Sequence, residues 1–284
     1  MDSVQHWVED APFARALGIR LDGAEEGSAR LLLPFRDANA NPGKALHGGC
    51  AASLAIVGAQ AVARRALGEA SAPWHTFGLQ VNYLSAAIGE EVAAVARLLR
   101  RGKELCFVEV DVATAAGKPI AHATAAVRGR FGREPAPPAR SDGDDGRVDP
   151  GPLGPHIVKT PFIAARGIGV ELMAGGRSRL VMPWREDNGD DPSGVHEGAA
   201  LALFDTTGAM AAWAETGPGP YKASTPSIQA QILGSLPRED LVGYGRVVQS
   251  DRELFWSEVE VAGRQGQLVA RGTVIYRIVK PDSG

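Results

Sequence analysis

Residues 12–128 and 161–277 of this 284-residue chain lie in one unbroken register, offset by 149 positions, the separation of His47 from His196. The same offset pairs Pro12-Phe13 with Pro161-Phe162, Gly18-Ile19 with Gly167-Ile168, and Pro34 with Pro183. It also pairs Thr76 with Thr225, Gln80 with Gln229, Arg97 with Arg246, Glu104-Leu105 with Glu253-Leu254, Gly117 with Gly266 and Arg128 with Arg277. A gapless register over such a span is a duplication, so whatever one half folds into, the other must fold into as well. Within it Ile56 falls on Asp205, and His47-Gly48-Gly49 falls on His196-Glu197-Gly198. A hydrocarbon has become a carboxylate at a position that reads as buried, which points to halves with different tasks.

Each copy carries the same order of elements. Ser28–Phe35 and Arg177–Trp184 are apolar runs with strand character, each followed by an acidic loop. From His47 to Leu67 the residues are Ala- and Leu-rich and apolar on nearly every face until Arg64-Arg65, and Gly68 ends the run as Gly217-Pro218 does in the second copy. A helix with no wet face has to be wrapped by other elements. Leu79–Leu84, Val108–Val112 and Phe255–Val261 alternate as half-buried strands, while Gly117 and Gly266 mark hairpin turns before Ile120–Arg128 and Val269–Arg277. One helix among several antiparallel strands predicts an α+β fold in which a sheet curls around a single helix, not a parallel α/β fold. Gly132 to Lys159 is rich in Pro, Gly, Asp and Arg and reads as an exposed tether. The expected division is a first repeat over 1–131, a linker over 132–159 and a second repeat over 160–284.

Composition narrows the function classes. A 44% hydrophobic and 22% charged chain reads as a soluble globular protein. Its net charge of −3 offers no electrostatic footprint for nucleic acid or an anionic membrane. Cys50 and Cys106 sit in apolar contexts and form no disulfide framework, which favours a reducing, cytoplasmic compartment. The first eleven residues hold three acids and read as no signal peptide, and no apolar run approaches the ~20 residues of a membrane helix. His6, His75, His122 and His156 lack metal-ligand spacing, and neither a phosphate loop nor a dinucleotide fingerprint is present, so no metal and no cofactor are expected.

Asn41, then His47-Gly48-Gly49 six residues on, then an apolar helix resembles the motif of phenylacetyl-CoA-type acyl-CoA thioesterases of the hotdog superfamily, in which an acid follows nine positions after the His. The two-copy chain is similar to the double-hotdog acyl-CoA thioesterases. The resemblance implies a tandem hotdog fold, hydrolysis of an acyl-CoA substrate, and coenzyme A present only as part of that substrate. Copy one keeps Asn41, His47, Gly48 and Gly49 but has Ile56 at the acidic position; copy two keeps Asp205 but has Asp190 for the Asn and Glu197 for the first Gly. Nine helical residues set an acid about 13.5 Å from its own helix start, too far to serve a carbonyl bound there. In the family the acid serves the partner's site across a two-fold, which implies one composite site per chain, built from Asn41, His47, Gly48, Asp205 and Thr225. There the Gly48 amide would polarise the thioester oxygen, Asn41 and His47 would shape the loop, Asp205 would act on water or attack directly, and Thr225 would assist. The opposite site, with Ile56 facing Asp190, His196 and Glu197, should be dead. Two positions depart from the family pattern: Lys44 stands where a loop Gly is usual, with Gly43 one place earlier, and Val274 stands where related enzymes carry Gln. A non-catalytic acyl-CoA binder and a hotdog dehydratase or hydratase are the rival readings, and a homodimer of double-hotdog chains is the expected further association.

Overall fold

A computed structural model describes residues 3–130, 137–190 and 194–281. The first half runs α1 (Ser3–Asp10), α2 (Pro12–Leu17), β1 (Arg20–Glu25), β2 (Ser28–Leu33), α3 (Gly48–Leu67), β3 (Trp74–Tyr83), β4 (Val92–Arg101), β5 (Leu105–Thr114) and β6 (Pro119–Gly129). After α4 (Gly154–Ile157) the second half repeats that order: α5 (Pro161–Arg166), β7 (Gly169–Ala174), β8 (Arg177–Met182), a small β9 (Gly189–Asp190) and β10 (Gly194–Val195) pair, α6 (Glu197–Thr216), β11 (Lys222–Ile232), β12 (Leu241–Ser250), β13 (Leu254–Gly263) and β14 (Leu268–Val279). The alternating patterns therefore mark strands correctly but understate them. β4 and β12 carry Ala, Gly and Arg among their apolar residues, which blurs the alternation.

Each half is a curled antiparallel sheet around one long helix, the expected hotdog arrangement. α3 is buried from Gly49 through Ala63, and α6 from Glu197 through Ala212. By length and composition α3 would also pass as a membrane span, yet it is wrapped by β2 to β6 and is mostly buried within the molecule. The two sheets join into one of twelve strands through β3 and β11. Their register sets Gln80 opposite Gln229, with Leu79 opposite Ala230 and Val81 opposite Ile228. Gln80 and Gln229 are equivalent under the 149-residue offset, so the pseudo-two-fold of the sequence is also the axis of the sheet.

That axis crosses α3 and α6 near their N-termini, and the crossing is tight. A Cβ on Gly49 would lie 2.9 Å from the Ala202 Cβ, and one on Gly198 would lie 3.0 Å from the Ser53 hydroxyl. The Ser53 hydroxyl donates to the Gly49 carbonyl at 2.6 Å and reaches the Gly198 carbonyl of the other helix at 3.1 Å. Small residues are what let the backbones approach this closely.

Residues 137–159 of the expected linker are mostly exposed, yet they are fastened rather than free. Arg140 bridges to Gln267, the Ser141 hydroxyl donates to Glu260 at 2.5 Å, and Asp149 pairs in parallel with Leu172. The buried Arg179 guanidinium binds Asp144 and, at 2.7 Å, Glu171. The aspartates that make the composition look disordered supply these contacts. The boundary expected at 131 lies outside the described residues.

Gly49→Ala should cost about 1–3 kcal/mol, the range for overpacking a filled interior. Gly234→Ala, where an added Cβ meets nothing within 4 Å, should change stability by less than about 0.5 kcal/mol. Denaturant unfolding of the two variants side by side checks this, and equal effects would mean the helix crossing tolerates a methyl group.

Candidate active site

His47 starts α3 as its N-cap: its Nδ1 accepts from the Gly49 N–H at 2.9 Å, and its carbonyl accepts from Cys50 N–H. Burial holds the imidazole neutral by lowering its pKa to about 4, and Phe162 stacks on it at 4.2 Å. A neutral ring that accepts at Nδ1 has the chemistry of a shaping group, the role the resemblance implies for His47. With Gly49 and Cys50 satisfied in this way, the Gly48 N–H is the first-turn donor left over, at the positive end of the helix dipole.

Asp205 comes to that point from the other helix. It is 3% exposed, and its Oδ2 lies 2.8 Å from where a Cβ on Gly48 would be. Any side chain at 48 would collide with the carboxylate, which gives Gly48 a physical reason beyond turn geometry. The Thr225 hydroxyl donates to Asp205 Oδ1 at 2.9 Å. Thr225 can do so because β11 shifts register between Ser224 and Ser227, a bulge at Pro226 that turns the hydroxyl toward the helix. Burial raises the Asp205 carboxyl to about 6, with the Thr225 bond pulling the other way.

All five residues singled out in the sequence line one cavity of about 910 Å³: Asn41, His47, Gly48, Asp205 and Thr225. Asn41 shapes its loop through backbone bonds, its N–H donating to Ala45 and its carbonyl accepting from Lys44. Lys44, at the place of the usual glycine, still adopts the left-handed backbone at φ 62°, so the turn survives the substitution. Val274, at the place of the usual Gln, fills the space above Gly208, where an added Cβ would lie 2.4 Å away.

Two residues of the site escaped the sequence reading. The Tyr83 hydroxyl donates to the Gly48 carbonyl at 3.1 Å and its ring borders Gly48; burial, with Asp205 nearby, raises its pKa well above the usual phenol value. Its counterpart at the 149 offset is Ile232, a divergence of the same kind as Ile56 and Asp205. Asn39, fully buried, donates from Nδ2 to the Leu17 carbonyl, while its own carbonyl receives the His47 N–H. Asn188 does the equivalent work in the second half, donating to the Arg166 carbonyl and receiving His196 N–H. Identity at equivalent positions was the signal available for this pair.

Among the described residues, the mirror position contains no comparable space. Glu197 points inward, where its carboxylate meets His75 Nδ1 at 2.9 Å, Gln60 Nε2 at 2.6 Å and the Thr76 N–H at 3.1 Å. Burial pushes its pKa up, but the bonds from His75 and Thr76 outweigh that and leave it lowered. Arg64 bonds Gln60 and lies 3.6 Å over the Trp7 ring, and Trp7 Nε1 donates to Asp190 at 3.1 Å. His75, one of the histidines without metal-ligand spacing, is thus a structural partner of the buried Glu197. What remains near Asp190 is a pocket of about 130 Å³.

A candidate esterase of Halobacterium salinarum is 32% identical to this chain over 131 residues, covering 45% of this chain and 86% of that protein. The chain belongs to the hotdog thioesterase superfamily. Residues 36–128 match the family described as the acyl-CoA thioesterase N-terminal domain. The fold of the whole chain is shared with a hotdog protein from Alicyclobacillus acidocaldarius (TM-score 0.67, 18% identity, 95% of this chain and 98% of that one). It is shared also with acyl-CoA thioesterase II TesB2 of Mycobacterium marinum (TM-score 0.64, 12% identity, 93% and 97%). Both structures span the two halves, as the double-hotdog reading requires.

The raised Asp205 carboxyl has a stability consequence with a definite sign. The folded state holds that proton to about pH 6 while the unfolded chain releases it near the ordinary aspartate value of 3.8, so stability falls as pH rises through this window. A shift of this size corresponds to roughly 3 kcal/mol lost between pH 4 and 7. Asp205→Asn should therefore be more stable than the parent at pH 7.5, with the difference shrinking toward pH 4. A difference that stays constant across this range in paired thermal unfolding curves would show that Asp205 is not desolvated.

Proposed function

We propose that this protein hydrolyses acyl-CoA thioesters by water attack at a single composite site per chain. The observation that carries the reading is the Asp205 carboxylate lying against Gly48 in the wall of the one large cavity between the two halves found among the described residues. A thioester carbonyl directed at the Gly48 N–H would have its developing oxyanion stabilised by that donor and by the helix terminus behind it. Asp205, held at Oδ1 by Thr225, keeps Oδ2 for a water, and a carboxylate with a pKa near 6 is a better proton acceptor than an ordinary one. In sequence, Asp205 takes the proton as water oxygen adds to the carbonyl carbon. The tetrahedral intermediate then collapses, the carbon–sulfur bond breaks, and the proton passes to the departing thiolate. The products are a carboxylic acid and free coenzyme A thiol, with no oxidant or cofactor consumed.

Tyr83 supports this arrangement by fixing the first peptide of α3 through the Gly48 carbonyl. The mirror site lacks each requirement: Ile56 replaces the acid, Glu197 sets negative charge at the carbonyl position, and Trp7 with Arg64 fills the volume.

Thiol release from a panel of acyl-CoAs tests the reading. Asp205→Asn should lower kcat by about 10²–10⁴-fold, the range for a positioned general base. In the parent enzyme kcat/KM should climb through an acid limb near pH 6, because the base works only when ionised. Undiminished turnover by Asp205→Asn would reject the mechanism, and enoyl absorbance changes without free thiol would indicate a hydratase instead. Ile56→Asp should restore nothing measurable to the Asp205→Asn background; recovered turnover would show that the filled mirror site can still open.

A further inference from the structure

Tyr83 closes β3 on the face of the strand that carries the buried Leu79 and Val81, and it lines the cavity. The central β3–β11 pairing ends just before it, at Asn82 opposite Ser227. Tyr83 of one half and Thr225 of the other therefore leave the pairing at the same end, the first reaching Gly48 and the second Asp205. The backbone beyond Tyr83 is fixed, since the Leu84 and Ser85 N–H groups both donate to the Ile120 carbonyl, at 2.9 and 3.3 Å.

Two side chains thus hold the Gly48–Gly49 peptide from opposite ends. The Tyr83 hydroxyl donates to its carbonyl at 3.1 Å, and His47 Nδ1 accepts from its N–H at 2.9 Å. Two successive glycines in a first helical turn have the widest backbone freedom and no side chain of their own to restrain them. Pinning this peptide restrains φ and ψ of Gly48, and with them the aim of the Gly48 N–H. The phenol ring has a second effect. A Cβ on Gly48 would lie 2.8 Å from Asp205 Oδ2 and 3.5 Å from Tyr83 Cε1 and Cζ, so carboxylate and ring close over the glycine from two sides. The groups around Asp205 are neutral: the Tyr83 phenol from β3, the Tyr276 phenol from β14, the Thr225 hydroxyl from β11 and the His47 imidazole at the start of α3. Arg277, also in the cavity wall, is engaged by Glu253 at 2.6 Å. Exclusion of water therefore governs the carboxyl, and the Tyr83 ring is part of what excludes it.

The two halves diverge here as a set. Tyr83 falls on Ile232 at the 149-residue offset, as Asp205 falls on Ile56, and His75 falls on Ser224. In the mirror half the contact at position 232 is the Ile232 carbonyl with His75 Nε2 at 3.2 Å, and Glu197 stands where Gly48 does. The acid and the phenol occur together at one site, and both are isoleucine at the other. We infer that Tyr83 is a positioning residue for thioester hydrolysis, its hydroxyl aiming the Gly48 N–H at the carbonyl oxygen and its ring shielding Asp205 from solvent. This rests on the hydrolase reading and adds to it the group that prepares both the donor and the base.

The experiment separates the two parts of the side chain. Tyr83→Phe keeps the ring and removes the hydroxyl, whereas Tyr83→Ile, with the residue of the mirror half, removes both. On an acyl-CoA that the parent cleaves, Tyr83→Phe should lower kcat by about three- to tenfold, the worth of one neutral hydrogen bond. Its KM should stay within about twofold, and the acid limb of its pH profile should not move. Tyr83→Ile should lower kcat further and shift that limb down by about one pH unit, as water reaches the carboxylate. Thermal unfolding between pH 4 and 7 gives a readout independent of turnover. The loss of stability with rising pH that Asp205 produces should persist in Tyr83→Phe and shrink in Tyr83→Ile. That contrast supports the shielding even if no thioester is cleaved, a result that would sink the hydrolase reading alone. Parent-like kcat in Tyr83→Phe overturns the aiming role, and an unmoved limb or an unchanged stability slope in Tyr83→Ile overturns the shielding.

Discussion

The close crossing of α3 and α6 is the constraint on which the site depends. Asp205 is too far along its own helix to serve the N-terminus of that helix, and it reaches Gly48 only because the facing helix passes within the thickness of a missing side chain. Gly49 against Ala202 and Gly198 against Ser53 hold the backbones at that separation, and the Ser53 hydroxyl ties the carbonyls of both helices together. Larger residues at the crossing would stabilise neither helix and would withdraw the carboxylate from the amide. The twelve-stranded sheet then makes the crossing rigid, since its central β3–β11 pairing fixes the same axis at Gln80 and Gln229.

A two-fold axis generates two sites, and a single chain is free to use only one. In a homodimer of identical subunits, replacing the acid would silence both sites together; a duplication lets them separate. Here the second position has become part of the core. Glu197, buried where the first half has Gly48, would be costly if unpaired. His75, Gln60 and the Thr76 backbone meet its carboxylate, while Arg64 and Trp7 close the space over it. Thr76 shows the change of role at one residue. Its equivalent Thr225 donates to a carboxylate, whereas Thr76 accepts from Gln60 because the carboxylate it would have met is now Ile56.

The sequence revealed most about elements whose physics is local and repeated. The offset, the all-apolar helices and the hairpin glycines each leave a signature that survives without tertiary information, and they sufficed for the fold; the group Asn41, His47, Gly48, Asp205 and Thr225 came from the family resemblance, and its members line one cavity. Tyr83 and Asn39 were missed for different reasons. Tyr83 sits at the end of an alternating strand, where an aromatic residue is ordinary, and only its approach to the Gly48 carbonyl gives it meaning. Asn39 looks like any loop asparagine until its amide is seen holding α2 to the turn before α3. The linker misled in the opposite sense, because its aspartates suggested solvent while Asp144 is half of a buried ion pair with Arg179. Composition reports how polar a segment is but not which cation it will meet.

The same contrast explains why the polarity of the cavity had to come from three dimensions. Trp213 lies 60 and 56 residues from Leu153 and Ile157 in sequence, and no periodicity links them. α6 sets Trp213 two helical turns beyond Asp205 on the same cavity wall, and Leu153, Ile157 and Ile163 come to that cavity from the segment before β7. The Asp205 carboxylate thus shares one cavity with the aromatic Trp213 and Tyr221 and with the aliphatic Leu153, Ile157 and Ile163. Under the proposed hydrolysis, that mixed lining would receive the apolar part of a thioester while the bond to be cut lies at Gly48.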